Sequence, residues 1–333
     1  MQSLAVEPAR PSPSHRAGSG GVGGAGGAGG AGGAGGAGGG VALAVLGAIA
    51  FSGKAIIVKL GYRYGADAIT LIALRMAVAL PFFAVIAAFA SRRRGVVRLA
   101  AADAWKVIGL GVLGYYLASY LDFVGLEFVS ASLERLILYL NPTLVLLIGV
   151  VFFRRGASGR QWLALLLGYA GVVLAFVQDF HAGGSSVVLG CALVFGSAVA
   201  YAVYLVGSGE LVARVGALRL TAYASSVASL CCLAHFFLTR PAGSLLTLPP
   251  QVWGLSLING VACTVLPVFT VMMAIARLGA STASQIGMVG PVATIVLADL
   301  LLDEHMGPLQ VAGTVLVMAG VFVVSRGTRS PVR

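Results

Sequence analysis

Five charged residues stand inside long apolar stretches of the sequence: Lys54, Arg75, Glu134, Arg135 and Asp299. A charge in such surroundings costs about 3 kcal/mol or more, and it is kept where it has a partner or borders water. Glu134, Arg75, Arg135 and Asp299 are therefore the candidate coupling or gating residues. Glu134 is the leading candidate to take up a proton, and Asp299 is the reserve.

Arg75 and Glu134 carry opposite charges and stand at similar distances from the same side of their stretches. At 1.5 Å per helical residue they lie about 10 and about 6 Å deep, which long side chains can bridge. We predict that they form an ion pair that helps to close one side of the molecule. Arg135 points about 100° away from Glu134, so both cannot face one partner squarely. Lys54 and Asp299 stand nearer to stretch ends, where anchoring at the surface is the favoured interpretation.

Two prolines, Pro142 and Pro291, each stand about twelve residues into an apolar stretch. Proline lacks an N–H, so each frees the carbonyl four residues earlier, on Leu138 and on Gly287. Interrupted helices at matching positions of repeated halves point to a central binding site. The alternative is a pair of packing kinks whose carbonyls are satisfied by neighbours. The candidate substrate-binding residues are polar and glycine positions near the prolines and two tyrosines elsewhere: Tyr139, Asn141, Gln285, Gly287, Tyr116 and Tyr201.

The signatures of a metal centre and of an enzyme are missing from the sequence. Four cysteines lie in apolar stretches without ligand spacing, and four histidines are scattered, so we expect neither a metal nor a cofactor. No nucleophile elbow, His-Glu-x-x-His pair or nucleotide-binding loop occurs. We therefore expect no catalytic residues and a protein that is not an enzyme.

Membrane-spanning helices are the elements that must hold the candidate residues. Of the 333 residues, 59% are hydrophobic and 10% are charged, which excludes a water-soluble domain. A helix of about 20 apolar residues crosses a bilayer and satisfies its own backbone there. Ten stretches fit this description, at about 41–61, 68–90, 104–121, 130–153, 161–177, 187–208, 217–238, 252–276, 280–302 and 308–325.

The ten stretches form an internal repeat, in which a unit of five predicted helices occurs twice with a constant shift of 149 residues. Matching pairs include Ala131 with Ala280, Ile137 with Ile286, Pro142 with Pro291, Gln161 with Gln310 and Gly171 with Gly320. An odd number of spans in each unit turns the second copy upside down. The sequence therefore predicts an all-α integral membrane protein with ten transmembrane helices in two inverted repeats, residues 41–177 and 187–326.

The distribution of basic residues predicts the orientation. With the N-terminus in the cytoplasm, 16 of the 22 Lys and Arg residues fall in cytoplasmic segments, three outside and three within spans. Both termini are then cytoplasmic, while acidic residues, Asp122 and Asp179 among them, fall on the outer side. The basic excess is explained by topology, so no nucleic-acid partner is expected. Residues 1–40 are rich in Gly and Ala and are predicted to be a disordered cytoplasmic tail.

Several segments resemble EamA-type members of the drug/metabolite transporter superfamily: Phe51 to Lys59, Leu74-Arg75, Ser130 to Leu136, Asn141-Pro142 and Gly290-Pro291. The resemblance covers about residues 41–326. It implies two inverted five-helix repeats in a bacterial inner membrane. It also implies a secondary transporter that moves a small metabolite by alternating access. Members of the family that resemble this chain often export amino acids or related compounds. Many relatives have an aromatic residue where this chain has Asn141.

Two alternatives remain beside this expectation. The protein could be a gradient-driven facilitator without proton coupling, in which Glu134 only pairs with Arg75. It could also be an integral-membrane enzyme acting on a lipid or a peptide, which the repeat symmetry disfavours. The expected partners are a small-molecule solute and the lipid bilayer. Substrate identity, the direction of transport and the oligomeric state are left open by the sequence.

Overall fold

The computed structural model describes residues 34–92, 99–154 and 156–327. Those residues form α-helices that are joined by short turns, two π turns and one 3-10 turn. The helices are α1 (Ala34–Arg63), α2 (Ala68–Arg92), α3 (Ala101–Gly111), α4 (Ala118–Leu126), α5 (Ala131–Leu138), α6 (Asn141–Phe153), α7 (Gly159–Gly183), α8 (Ser185–Val215), α9 (Ala217–Thr239), α10 (Pro250–Gly260), α11 (Leu266–Leu278), α12 (Ala280–Gly287), α13 (Val289–Leu302) and α14 (Pro308–Gly327).

These helices form ten spans. Within the described part of the chain, nine segments are long and apolar enough to cross a membrane, and Pro308–Val323 is a shorter apolar helix. Four spans are built from two helices each: α3 with α4, α5 with α6, α10 with α11, and α12 with α13. The predicted all-α membrane fold with ten helices is confirmed.

The two halves carry the same irregularities at the predicted shift of 149 residues. α5 covers Ala131–Leu138 and α12 covers Ala280–Gly287, and a break in the helix follows each of them. α6 and α13 are followed by Arg154 and Asp303, which both adopt the left-handed conformation with φ of 51° and 56°. Because φ values in this region are uncommon for residues other than glycine, their recurrence at matching positions supports the internal repeat.

Two π turns, Val112–Leu117 and Val261–Val265, interrupt the third and eighth spans at matching positions. A π turn is wider than an α-helical turn and occurs mostly as a single local bulge. The glycine directly before the first turn and the glycine within it are tightly packed. A Cβ on Gly111 would stand 2.8 Å from the Ala224 carbonyl oxygen, and one on Gly114 would stand 2.2 Å from the Tyr204 Cβ. The apolar pattern of the sequence does not predict these turns.

Packing interlocks the two halves of the molecule. α1 packs against α10, α11, α12 and α13 of the second half, and its counterpart α8 packs against α3, α4, α5 and α6 of the first half. The second spans of the two halves, α2 and α9, contact each other, as do the fifth spans, α7 and α14. Each half therefore completes its packing with helices of the other.

The contact between α7 and α14 brings backbone against backbone. A Cβ on Gly171 would stand 2.4 Å from the Gly313 carbonyl oxygen, and a Cβ on Gly313 would stand 2.4 Å from the Gly171 carbonyl oxygen. A Cβ on Gly320 would stand 2.7 Å from the Ala164 carbonyl oxygen. Small residues allow membrane helices to approach this closely and to gain van der Waals contact. Glycine is required at these positions by the packing.

Three predicted boundaries differ from the structure. α1 begins at Ala34, so residues 34–40 of the predicted tail are helical, and residues 1–33 lie outside the described residues. The third span continues to Leu126, so Asp122 lies within it and not beyond the predicted end at residue 121. α7 continues to Gly183, so Asp179 also lies within a helix. Charged residues near a span end were taken as its boundary, whereas both carboxylates are buried inside the bundle.

Candidate functional site

Lys54 lies between two carboxylates that come from different spans. Its Nζ atom is 2.5 Å from Asp122 Oδ2 and 2.9 Å from Glu134 Oε1. The three residues are 6%, 3% and 0% exposed, so the group is closed to solvent in this conformation. We call Lys54, Asp122 and Glu134 the buried ionic cluster. It joins α1, α4 and α5.

The predicted ion pair between Arg75 and Glu134 is wrong. Glu134 pairs with Lys54, whereas the Arg75 guanidinium donates a hydrogen bond to Ser119 Oγ at 3.0 Å and lies 4.6 Å from the centre of the Phe123 ring. Similar depth in the bilayer does not determine which face of a helix a residue occupies. The preference for a surface role of Lys54 is also wrong, because α1 continues for nine residues beyond it, which is about 13 Å of helix.

Arg135 connects α5 to the helix breaks. Its guanidinium donates a hydrogen bond to Ser52 Oγ at 3.1 Å and lies 4.8 Å from the ring centre of Phe51 and 5.4 Å from that of Tyr139. The Ser52 hydroxyl in turn donates a hydrogen bond to the Gly290 carbonyl oxygen at 2.8 Å. Arg135 thus faces away from Glu134, as the helical geometry predicts.

The two helix breaks contact each other, and their freed carbonyls have partners. The Tyr139 hydroxyl donates to the Gly287 carbonyl at 2.8 Å, and Asn141 Nδ2 donates to the Leu138 carbonyl at 2.7 Å. Gly290 allows this approach, since a Cβ there would stand 2.3 Å from the Tyr139 hydroxyl oxygen. The carbonyls are therefore satisfied by neighbours, as in the packing alternative, although each oxygen has a second lone pair.

Pro142 and Pro291 lie in the first turns of the helices that follow the breaks. A proline is tolerated there because the N–H groups of a first helical turn have no partner within the helix. Gln285 is half-buried in α12, two residues before the Gly287 carbonyl that accepts the hydrogen bond of Tyr139. Glu134 and Arg135 therefore lie on the short helix α5, and Tyr139 directly follows it. This part of the chain packs beside the ninth span, which consists of α12 and α13.

Three further candidates lie against other partners. Tyr116 stands 3.0 Å from His235 Nδ1 through its hydroxyl, in a small pocket between α2, α4 and α9. Tyr201 stacks on Tyr204 with ring centres 5.6 Å apart. Asp299 is exposed and lies 2.8 Å from His305 Nδ1. This hydrogen bond raises the pKa of His305, which lies outside the spans. None of these contacts belongs to the buried ionic cluster.

A polar cavity of about 340 Å³ lies at the ends of several spans. On one side, Lys59 Nζ is 2.6 Å from Glu304 Oε1, while Glu304 Oε2 accepts the Ala131 N–H at 2.9 Å. On the other, Asp179 Oδ2 accepts the Ser130 N–H at 2.8 Å. Carboxylates are favourable at the N-terminus of a helix, which here is α5. The cavity is lined mainly by Lys59, Glu127, Ser130, Ser132, Asp179, Glu304 and Gln310.

Four polar atoms in and beside the buried ionic cluster have no hydrogen-bond donor or acceptor among the described residues. They are Arg75 Nε, Asp122 Oδ1, Glu134 Oε2 and Arg135 Nε. Buried polar atoms of folded proteins are nearly always paired, so unpaired ones call for an explanation. Two of these atoms are guanidinium donors and two are carboxylate acceptors. The site can therefore offer hydrogen bonds of both kinds to a molecule that enters it.

Asp122 is the functional candidate that sequence reasoning missed, because the predicted third span ended at residue 121. Lys54 was recognised as a charge within a span but was interpreted as a surface anchor. A usable signal was present in the sequence, since each is an ionisable residue within reach of an apolar stretch. No group of three or more His, Cys, Asp or Glu side chains suited to a metal ion occurs in the part of the chain that the structure describes.

Comparison with known proteins identifies the family. The EamA-like transporter family matches residues 38–177 and again residues 188–326. The chain belongs to this family. The two matched segments account for most of the chain, and each contains one complete set of five spans, so a membrane transporter is the function class of this EamA-like protein.

Several curated relatives of this EamA-like chain carry transporter names. The uncharacterized transporter YcbK of Bacillus subtilis (strain 168) is 31% identical over 301 residues, which cover 86% of this chain and 92% of that protein. An uncharacterized transporter of Archaeoglobus fulgidus is 26% identical over 261 residues, covering 78% and 88%. A solved crystal structure shares the fold with a TM-score of 0.59 at 18% identity, covering 87% of this chain and 99% of that one.

Proposed function

We propose that this protein is a secondary transporter of a bacterial inner membrane that moves a small zwitterionic metabolite, such as an amino acid or a related compound, by alternating access. The observation that carries the proposal is the set of unpaired donors and acceptors at the buried ionic cluster. A zwitterion has one carboxylate and one ammonium group. It can therefore pair with the Arg75 and Arg135 guanidinium N–H groups and with the free oxygens of Asp122 and Glu134.

The helix breaks provide the second part of the proposed site. Tyr139, Asn141, Gln285 and Gly287 carry neutral polar groups, and Arg135 lies between them and the charged residues. Ligand sites combine apolar walls with a few polar groups that fix orientation. In this proposal the charged groups bind the ends of the zwitterion, and the residues at the breaks select its side chain. Tyr116 and Tyr201 lie against other partners and are assigned to packing.

Interlocked inverted halves support alternating access. Transporters of this kind rock one bundle against another around a fixed central site. The cluster is closed to solvent in this conformation, so solute must enter through a rearrangement of neighbouring spans. The polar cavity at the end of α5, with its Lys59 and Glu304 ion pair, lies where such a rearrangement would open one side.

The orientation proposed from the basic residues is tested by reporter fusions. A fusion after Gly183, at the end of α7, should report an external location, and one after Arg333 should report the cytoplasm. An enzymatic reporter that is active only outside should be paired with a fluorescent one that is active only inside. The reverse pattern, or the same side for both fusions, contradicts the proposed topology.

The proposed substrate class is tested by counterflow in liposomes that contain the purified protein. Radiolabelled leucine is the probe, with leucine amide and isocaproate as competitors that lack the carboxylate or the ammonium group. We expect leucine to accumulate only in liposomes with protein and to be displaced by other zwitterionic amino acids at least tenfold better than by either analogue. If no amino acid of a tested panel accumulates, the zwitterion proposal is overturned.

Substitutions at the helix breaks test the selective part of the site. Asn141→Leu and Gln285→Leu remove an amide at similar volume, so they should change solute preference in the same counterflow assay while insertion stays normal. Gln251→Leu, an exposed position at the start of α10, makes the same chemical change as a control. Unchanged preference in both break variants would assign the breaks to packing alone. Transport down a gradient without uphill accumulation under any ion gradient would identify a facilitator.

A further inference from the structure

Glu304 joins the second half of the molecule to the helix that carries Glu134 and Arg135. It lies between α13 and α14, and its two carboxylate oxygens have different partners in the first half. Oε1 is 2.6 Å from Lys59 Nζ on α1, and Oε2 accepts the Ala131 N–H at 2.9 Å. We call these contacts of Glu304 with Lys59 and Ala131 the α5 latch. Because Ala131 is the first residue of α5, one carboxylate connects the last turns of α1 with the beginning of α5.

The position of α5 depends on contacts with other elements. It has only eight residues, and a break separates it from α6. A helix this short is not stable by itself, so its neighbours must hold it in place. At its beginning, the Asp179 carboxylate of α7 accepts the Ser130 N–H at 2.8 Å and also accepts a hydrogen bond from the Gln310 amide of α14. Negative charges here are favoured by the helix dipole, so Asp179 and Glu304 together fix this end of α5.

The internal repeat does not reproduce the α5 latch at α12, the counterpart of α5 in the second half. The shift of 149 residues places Ser208 at the position of Lys59. It places Arg155 at the position of Glu304, so the carboxylate is replaced by a residue of opposite charge. The N-cap of α12 is Gly279, which has no side chain. Because the second half is inverted, α12 begins on the opposite side of the membrane, and the latch acts on one side of the molecule only.

The polar cavity beside the α5 latch reaches to within two residues of Glu134. It is lined by Lys59 and Glu304, and also by Ser132 of α5, which is only 2% exposed. We propose that Glu304 is a positioning residue that keeps α5 in the closed arrangement, and that the latch must break before solute can pass between this side and Glu134. Its part in opening rests on the proposed transport function, whereas its hold on α5 does not.

The labelling rate of Ser132→Cys by a water-soluble maleimide tests the latch without any solute. Peptide mass spectrometry of the purified protein in detergent assigns the label to position 132, so the native cysteines can stay. Adding Glu304→Ala should speed labelling about tenfold, because a hydrogen bond to a charged group is strong enough to change an opening equilibrium by that factor. Glu304→Gln keeps an oxygen for the Ala131 N–H but loses the ion pair, so its rate should lie between. Asp303→Asn, which neutralises the neighbouring exposed carboxylate, is the matched control and should leave the rate unchanged.

Exchanging the charges separates the two contacts of the latch. Lys59→Glu with Glu304→Lys restores an ion pair, but a lysine cannot accept the Ala131 N–H, and its charge is unfavourable at a helix N-terminus. We therefore expect position 132 to be labelled as fast as in Glu304→Ala, with an unfolding temperature that shows a folded protein. Slow labelling in the exchanged protein, or in Glu304→Ala, overturns the inference. Fast labelling in both, without leucine counterflow by the unsubstituted protein, would support the hold on α5 and overturn the proposed transport of leucine.

Discussion

Lys54→Met is expected to destabilise the folded protein by about 3–5 kcal/mol, because removal of one partner of a buried ion pair leaves the others uncompensated. The loss should be large here because Lys54 is the cation in contact with both Asp122 and Glu134. Transport should be abolished as well. Thermal unfolding of a fluorescent fusion in detergent, followed by size-exclusion chromatography, measures the change in stability.

Two comparisons separate this effect from a general loss of charge. Lys59→Met removes a lysine from the same helix, but its pair with Glu304 is about one-fifth exposed on both sides, so the loss should be about 1 kcal/mol or less. Adding Asp122→Asn and Glu134→Gln to Lys54→Met should restore most of the stability without restoring transport. If Lys54→Met unfolds at the same temperature as the unsubstituted protein, the cluster does not hold these spans together.

Gly171→Leu is expected to separate α7 from α14 and to cost at least about 3 kcal/mol. Overpacking of a filled interior costs about 1–3 kcal/mol and occasionally more. Here the Cβ alone would stand 2.4 Å from the Gly313 carbonyl oxygen and 2.9 Å from the Val317 backbone nitrogen, so a whole helix must move. The measurement is the yield of monodisperse protein and its unfolding temperature in detergent.

Gly254→Leu is the matched control for this prediction. Gly254 lies within α10, and nothing stands within 4 Å of a Cβ built on it. Since glycine lowers helix stability relative to other residues, this substitution should be neutral or slightly stabilising. A Gly171→Leu protein as stable as the Gly254→Leu protein would show that α7 and α14 do not approach as closely as described.

The repeat and the helix breaks could be predicted from the sequence because they depend on one-dimensional signals. Hydropathy gives the number of spans, the shift of 149 residues gives their relation, and proline removes a backbone donor wherever it stands. The positions of Pro142 and Pro291 therefore predicted the two breaks, which lie directly before the helices that contain these residues.

The partners of the charged residues could not be predicted in the same way. Depth places Arg75 and Glu134 at one level, but the choice between Lys54 and Arg75 as the partner of Glu134 depends on how each helix is rotated. That rotation is set by packing of spans that are distant in sequence. Asp122 was missed for a related reason. A carboxylate that is neutralised inside the protein looks, in the sequence, like the end of a span.

The two π turns carry information about the origin of the molecule. Each turn contains one residue more than the α-helical turn that it replaces. They begin at Val112 and Val261, which are 149 residues apart, and that is the shift that relates the two halves throughout. An insertion made in only one half would have given matching positions before and after the insertion different separations. We infer that the extra residue was already present in a single ancestral five-helix unit, and that both halves inherited it when the gene for that unit was duplicated.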